Sequence, residues 1–148
     1  MEESLFGKET EGLLLTIDGA TRGNPGAGAV GIVIEEVNKG CVGTVEEAME
    51  VIGIATNNIA EYKALLLGLK MAKDHYKGGK ITILTDSQLL KRQVCGEYQT
   101  RNLKLRGLLS QVRESLRHFE GWQILHIPRE RNRRAHRLAQ KAFRKIAS

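Results

Sequence analysis

The chain has 148 residues, 41% of them hydrophobic and 27% charged, which is enough apolar material for one domain with its own core. Its two cysteines, Cys41 and Cys95, are too few and too far apart for a disulfide framework or a zinc site, and no apolar stretch is long enough to cross a bilayer. The formal net charge of +6 is unevenly distributed, because residues 1–56 contain three Lys/Arg and ten Asp/Glu whereas the remainder contains 20 and seven.

The most basic segment is Arg129–Lys145, with eight Lys/Arg and one acid, Glu130. Such a run is either a solvated helix face or a surface that binds the phosphates of a nucleic acid. The charge pattern favours a polyanionic partner without establishing one. Because Met1–Glu3 is acidic and lacks an apolar segment, we expect no signal peptide and a cytoplasmic location.

The first half of the chain predicts three strands. Residues 13–18 form a buried apolar run that ends on Asp18, and the turn-rich segment 19–28 leads into a second strand over 28–36. A third strand is expected around 51–55, after an irregular connection through the acidic residues 46–50. Three strands in succession predict an antiparallel meander.

The second half alternates helices with strands. A 3.6-residue spacing of apolar side chains from Asn58 predicts a helix that ends at Gly78 and Gly79. A strand over 80–85, a short helix over 87–94, a longer helix over 105–119, a strand over 122–127 and a last helix over 135–146 follow. Together these elements predict one α/β domain over residues 1–148, with a five-stranded mixed sheet flanked by helices and an N-terminal extension of about 12 residues.

Three acids stand at the ends of these elements. Asp18 and Asp86 follow two strands that would lie side by side and parallel, and Glu61 lies near the start of the first helix. Three converging carboxylates are costly unless cations neutralise them, and oxygen ligands suit Mg²⁺ or Mn²⁺. Each acid also has an ordinary explanation: a capping box with Asn58 for Glu61, a helix N-cap for Asp86 and the start of a turn for Asp18.

Four sequence motifs surround these acids and the basic segment. The motifs are Asp18-Gly-Ala-Thr-Arg-Gly-Asn-Pro-Gly26, Thr56-Asn-Asn-Ile-Ala-Glu-Tyr62, Thr85-Asp-Ser-Gln-Leu89 and Pro128-Arg-Glu-x-Asn-x-x-Ala-His136. They resemble the motifs of type 1 ribonuclease H (ribonuclease HI) and occur in the same order as in that family. The resemblance extends over residues 13–146, nearly the whole chain, and the predicted element order agrees with that family's fold.

The resemblance implies an endoribonuclease that hydrolyses the RNA strand of RNA/DNA hybrids with two metal ions, leaving 5′-phosphate and 3′-hydroxyl ends. Asp18, Glu61 and Asp86 would hold the ions, with Asp18 bridging both. Amide side chains suit recognition of the ribose 2′-hydroxyl, because both groups can donate and accept hydrogen bonds. The residues expected to contact the nucleic acid are Gly19, Asn24, Asn57, Asn58, Gln88 and Arg129.

Two features depart from the family pattern. His136 stands where the family has a fourth metal-binding carboxylate, so we expect a catalytic and metal-binding histidine there and a preference for Mn²⁺ over Mg²⁺; alternatively, His136 is an ordinary surface residue. The short connection 95–102 leaves no room for the basic protrusion with which some members grip the hybrid. Other basic residues are expected to bind phosphates in its place: the Arg129–Arg137 cluster, Lys91, Arg92, Arg101, Lys104 and Arg106.

Other functions remain open at this point. The loss of the fourth carboxylate is compatible with a catalytically weak or inactive module, on the same fold, that binds hybrids or double-stranded RNA. A related metal-dependent nuclease with another substrate and a basic scaffold without nuclease chemistry are further alternatives, although a scaffold leaves the acidic motifs unexplained. We expect a monomer, no membrane association and a structural role for His126, which lies within a predicted strand.

Overall fold

The computed structural model describes residues 11–75 and 79–147. Most of the predicted N-terminal extension, Gly78 and the side chain of Ile146 lie outside the described residues, and the assignment of residues 1–148 to one domain stays a prediction. The strands are β1 (Gly12–Gly23), β2 (Gly26–Asn38), β3 (Cys41–Ala55), β4 (Lys80–Thr85) and β5 (Gly121–His126). The helices are α1 (Asn57–His75), α2 (Gln88–Val94), α3 (Leu103–Leu116) and α4 (Arg133–Ala147), with a 3₁₀ turn at Arg129–Arg131.

The predicted fold class is confirmed. The five strands form one mixed sheet in the order β3-β2-β1-β4-β5, in which β1, β2 and β3 are antiparallel and β4 and β5 run parallel to β1. Parallel strands need a crossover connection, and helices provide it between β3 and β4 and between β4 and β5. Within residues 11–75 and 79–147, no helix is both long and apolar enough to span a membrane.

The prediction of an irregular connection through residues 46–50 was wrong. These residues belong to β3, which is 15 residues long and pairs with β2 along almost its whole length, with register shifts at Gly28/Ala29 and Ile34/Glu35. β3 is an edge strand and most of its residues are exposed, so acids such as Glu47 and Glu50 fit there although they obscure the apolar pattern. β1 and β2 are also longer than predicted, because their hairpin extends beyond the buried core.

The two faces of the sheet pack against different helices. The main core lies between one face and helices α1, α2 and α3, and it includes Leu15, Ile32, Tyr62 and Leu109. The other face packs against α4 through Ala29, Ala142 and Phe143. Because side chains alternate along a strand, adjacent residues of β1 and β2 reach opposite helices.

Candidate metal centre

The two aspartates meet because β1 and β4 are parallel neighbours. The register pairs Thr16 with Leu84, and its continuation by two residues sets Asp18 opposite Asp86. Asp18 does not end β1, as the sequence suggested, and it does not begin a turn. It lies within the strand and pairs with Gly31 of β2, so strand pairing holds its backbone in place.

Glu61 reaches the same point from α1. The helix is capped by Thr56, whose Oγ1 accepts a hydrogen bond from the Ile59 N–H at 3.2 Å, so Glu61 lies beyond the first turn and is not a capping-box residue. Its Oε1 instead accepts a hydrogen bond of 2.8 Å from the Gly19 N–H. Only glycine fits at position 19, because a Cβ there would lie 2.3 Å from the Ala60 carbonyl carbon.

Asp86 is not the N-cap of a helix, a role that the sequence left open. Ser87 is the N-cap of α2, and its side chain accepts from the Leu90 N–H at 3.1 Å. The Asp86 carboxylate instead accepts a hydrogen bond of 3.1 Å from Asn132 Nδ2. Thr56 caps α1 and Ser87 caps α2, so neither Glu61 nor Asp86 has the helix-capping role that the sequence left open.

The three acids converge in a cluster of the kind that holds metal ions. One carboxylate oxygen from each of Asp18, Glu61 and Asp86 lies within 4.8 Å of the other two. Burial raises the pKa of Asp18 to about 6, with Asp86 adding to the shift and His136 opposing it. Burial, followed by the charges of Asp18 and Asp86, raises the pKa of Glu61 well above its usual value.

Divalent cations would relieve this unfavourable electrostatic arrangement. The donors at the centre of the cluster are carboxylate oxygens, the ligands that Mg²⁺ and Mn²⁺ prefer. Among the described residues that line the cleft, Arg129 is the one arginine or lysine that can compensate these negative charges. The site therefore fits divalent metal ions on charge and donor chemistry.

His136 lies beside the cluster without being one of its three members. It extends from α4, its side chain is about half exposed, and its Nδ1 lies 2.9 Å from Asp18 Oδ2. α4 can approach this closely because β2 has glycine at position 31, where a Cβ would lie 1.9 Å from the Ala135 carbonyl oxygen. The structure thus brings His136 to the site, although its predicted role as a metal ligand stays a prediction.

Sequence reasoning missed two residues of this site. Asn132 is fully buried, and its Nδ2 donates both to the Ile17 carbonyl oxygen at 2.9 Å and to Asp86. Gln140 lies one turn after His136 and lines the same cleft. Asn132 belongs to the fourth motif and lies directly before the last helix, so its place in that motif was the available signal.

The predicted nucleic-acid contacts divide into two groups. Gly19, Asn57 and Arg129 line the cleft of about 290 Å³ that contains the three acids and His136, whereas Asn24, Asn58 and Gln88 do not line it. Asn24 is nevertheless tied to the cleft, because its Oδ1 accepts a hydrogen bond of 2.9 Å from the Asn57 N–H. The Thr21 hydroxyl donates to Asn57 Oδ1, which further joins the β1–β2 hairpin to α1.

His126 is the last residue of β5, where the sequence predicted a strand. Its side chain is exposed and does not line the cleft.

Comparison with known proteins identifies relatives of the whole described fold. Residues 16–142 match the protein family described as "Reverse transcriptase-like". A curated ribonuclease HI from Halobacterium salinarum is 44% identical over 126 residues, which is 85% of this chain. The chain spans 61% of the length of that relative.

Solved structures agree with the sequence comparison. The crystal structure of RNase H1 from Halobacterium salinarum superposes with a TM-score of 0.84 at 41% identity, covering 90% of this chain and 98% of that chain. LC11-RNase H1, solved in complex with an RNA/DNA hybrid, superposes with a TM-score of 0.83 at 31% identity, covering 92% and 99%. Both neighbours cover nearly all of the described residues.

Proposed function

The chain belongs to the ribonuclease HI family, and on that premise we propose that it is an endoribonuclease that hydrolyses the RNA strand of RNA/DNA hybrids. The products would carry 5′-phosphate and 3′-hydroxyl ends. The observation that carries the proposal is the convergence of the Asp18, Glu61 and Asp86 carboxylates within 4.8 Å. A relative with the same fold was solved with an RNA/DNA hybrid bound, which supports the choice of substrate.

Asp18, Glu61 and Asp86 would together hold two divalent ions. Bound in this way, such ions activate water for attack on phosphorus and stabilise the charge on the departing oxygen. The chain itself orients the carboxylates: the Gly19 N–H fixes Glu61, and Asn132 fixes Asp86. Because these donors are already in place, little reorganisation would accompany binding of the ions.

The imidazole of His136, which lies beside Asp18, would be a fourth metal ligand of the site. A neutral imidazole contributes a nitrogen donor and no negative charge, so His136 would hold a divalent ion less tightly than a carboxylate would. Nitrogen donors suit Mn²⁺ better than Mg²⁺, and we therefore propose a preference for Mn²⁺. The 2.9 Å contact between His136 and Asp18 supports a role at the site rather than a bystander position.

Asn24 and Asn57 would contact the minor groove of the hybrid mainly as donors. Their side-chain oxygens are already occupied, by the Asn57 N–H and the Thr21 hydroxyl respectively, so each has amide N–H groups left for the substrate. Such groups would bind the 2′-hydroxyl oxygen or acceptors on the base edges. Asn58, Gln88 and Arg129 would add contacts beside them, whereas the Gly19 N–H is used by Glu61.

A gel assay tests the proposal. End-labelled RNA/DNA hybrid, RNA/RNA duplex and single-stranded RNA are each incubated with Mg²⁺ and with Mn²⁺, using the wild type and Asp86→Asn. We expect internal cleavage of the hybrid's RNA strand by the wild type alone, since Asp86→Asn removes a ligand charge while keeping the side-chain shape. Hybrid binding without cleavage in either metal would favour the alternative, an inactive module that binds hybrids or double-stranded RNA.

We also propose that the protein acts as a monomer in the cytoplasm. Size-exclusion chromatography with light scattering, with and without hybrid, tests the oligomeric state. Fractionation of cells that express the full chain tests the location.

A further inference from the structure

A second basic concavity lies apart from the carboxylates, along α3. It is a cavity of about 650 Å³ between α3 and the 95–102 connection, and we call it the α3 groove. Four arginines line it, and the only acid among its lining residues is Glu114. The arginines are Arg101, Arg106, Arg113 and Arg117.

The arginines form a row rather than a random cluster. Arg106, Arg113 and Arg117 are seven and four residues apart, so they lie on one face of α3, and Arg101 extends the row before the helix begins. From Arg106 to Arg117 the chain rises about 16 Å at 1.5 Å per residue. The row is therefore long enough to contact more than one anionic group.

Most of this positive charge is uncompensated. Glu114 pairs with Arg117 at 3.0 Å, but both side chains are more than two-thirds exposed, so this ion pair contributes little. Arg113 donates a long hydrogen bond of 3.5 Å to the Gln93 carbonyl oxygen, which carries no full negative charge. Across residues 11–75 and 79–147, Arg101 and Arg106 form no ion pair. The groove thus concentrates about three positive charges that an anion would neutralise.

The chemistry of the groove favours phosphate groups. Guanidinium groups match phosphate oxygens with paired hydrogen bonds, and a concave row focuses the field on a bound anion. Most of the groove's lining is polar, and Tyr98 at its edge is 47% exposed and contacts the guanidinium of Arg92. This surface suits a solvated phosphate backbone better than an apolar protein partner.

The groove is also within reach of a duplex bound at the carboxylates. The seven residues of α2 begin just after Asp86 and end just before the groove at Gly96. The helix rises about 10 Å, and the four connecting steps add at most about 14 Å, so the two points lie no more than about 24 Å apart. At 3.4 Å per base pair, a separation of about 10 to 24 Å corresponds to roughly three to seven base pairs.

We propose that the α3 groove binds the phosphate backbone of the substrate duplex beside the site of cleavage, an inference that rests on the proposed function. The short 95–102 connection is unable to supply the duplex contacts that a basic protrusion makes. The row of arginines in the groove would make such contacts in its place. Its contribution would be to affinity and to the salt dependence of binding, not to the chemistry of cleavage.

The test compares two double variants that remove the same charge. Arg101→Ala/Arg106→Ala removes two arginines of the groove, and Lys70→Ala/Lys73→Ala removes two cations from α1 that do not line it. Binding of a hybrid of about 20 base pairs, roughly 70 Å long, is measured with EDTA at several salt concentrations. We expect the arginine pair to reduce the slope of log affinity against log salt by about two, since each phosphate contact contributes roughly 0.9. The lysine pair should leave the slope unchanged.

Two further arms make the result specific. Arg101→Lys/Arg106→Lys should largely restore the slope, because the charge is kept. Inorganic phosphate, titrated alone, should bind weakly; tight binding to the groove that displaces no duplex would identify a free anion as its ligand and overturn the proposal.

The outcomes also separate this inference from the proposed function. Equal salt slopes for the arginine and lysine pairs, in a wild type that cleaves hybrid, would overturn the groove alone. A wild type that never cleaves hybrid, yet binds it with an arginine-dependent slope, would overturn the proposed nuclease activity and leave the groove standing.

Discussion

Asn132 holds Asp86 in place through a hydrogen bond of 3.1 Å from its Nδ2 to the Asp86 carboxylate. The same Nδ2 binds the Ile17 carbonyl oxygen at 2.9 Å, one residue before Asp18. A single buried amide therefore connects the start of α4 to the two strands that carry the aspartates. Oδ1 of Asn132 is buried without a hydrogen-bond partner among the described residues, an unfavourable arrangement that the two donated bonds offset.

Asn132→Ala should weaken metal binding by about 10- to 100-fold, because residues that orient a metal ligand affect affinity on this scale. Isothermal titration with Mn²⁺ and the metal dependence of cleavage measure the effect. Asn102→Ala is the matched control, since it removes the N-cap of α3 at a cost of about 1 kcal/mol without touching the carboxylates. Equal metal affinity in the two variants would show that Asn132 is only a structural residue.

Gly31→Ala should destabilise the protein by more than about 2 kcal/mol and reduce activity, because the new Cβ would lie 1.9 Å from the Ala135 carbonyl oxygen and push α4 off the sheet. Denaturant unfolding measures the stability. Gly107→Ala, where a Cβ meets nothing within 4 Å on α3, should be neutral or stabilising by up to about 1 kcal/mol. A Gly31→Ala protein as stable as the wild type would contradict the close packing of α4.

With divalent metal removed by a chelator, stability should fall as the pH rises from about 4 to above 6. The pKa of Asp18 is raised from 3.8 to about 6 in the folded protein, so the folded state keeps its proton over a range in which the unfolded state has lost it. Below pH 4 both states are protonated and this penalty disappears. Thermal unfolding across this range measures the effect, and Asp18→Asn should flatten the profile.

Divalent metal should reverse that loss. At neutral pH, Mn²⁺ at about 100 times its dissociation constant should stabilise the wild type by about 2.7 kcal/mol. Asp86→Asn should show a much smaller shift in melting temperature, because one carboxylate of the cluster has lost its charge. Equal shifts in both proteins would place the metal elsewhere.

His136→Asp should raise activity in Mg²⁺ by an amount on the order of tenfold and reduce the preference for Mn²⁺, since it adds a carboxylate beside Asp18. Parallel cleavage assays in the two metals measure this change. His118→Asp makes the same substitution on an exposed residue away from the cleft and should change nothing. Equal rates in Mg²⁺ and Mn²⁺, for both the wild type and His136→Asp, would refute the proposed role of His136.

Tyr62→Phe should cost about 1–3 kcal/mol of unfolding free energy while sparing catalysis. The Tyr62 hydroxyl donates to Gln93 Oε1 at 2.7 Å in the core between α1 and α2, and its loss leaves a buried acceptor unsatisfied. Denaturant unfolding beside Tyr98→Phe, whose ring is 47% exposed, provides the comparison. A cost no larger than that of Tyr98→Phe would contradict the importance of this bond.

Local patterns predicted much of the fold. The buried runs of β1 and β4 and the apolar spacing of α1 and α4 are visible in the sequence, because burial on one face imposes a period of two or 3.6 residues. The third strand was predicted only around residues 51–55, because the rest of β3 is mostly exposed at a sheet edge and carries no such period. The motifs also identified the three acids. Their spacing along the chain did not predict the hydrogen bonds that orient Glu61 and Asp86.

The sequence by itself determined which residues could do chemistry: Asp18, Glu61 and Asp86 at the ends of predicted elements, and His136 in place of a fourth acid. Tertiary structure alone decided how they meet. Parallel pairing of β1 and β4 sets the aspartates side by side, glycines 19 and 31 let α1 and α4 approach, and Asn132 and the Gly19 N–H orient the carboxylates. These contacts join residues 42 to 115 positions apart, and no periodicity within one element encodes a distance of that kind.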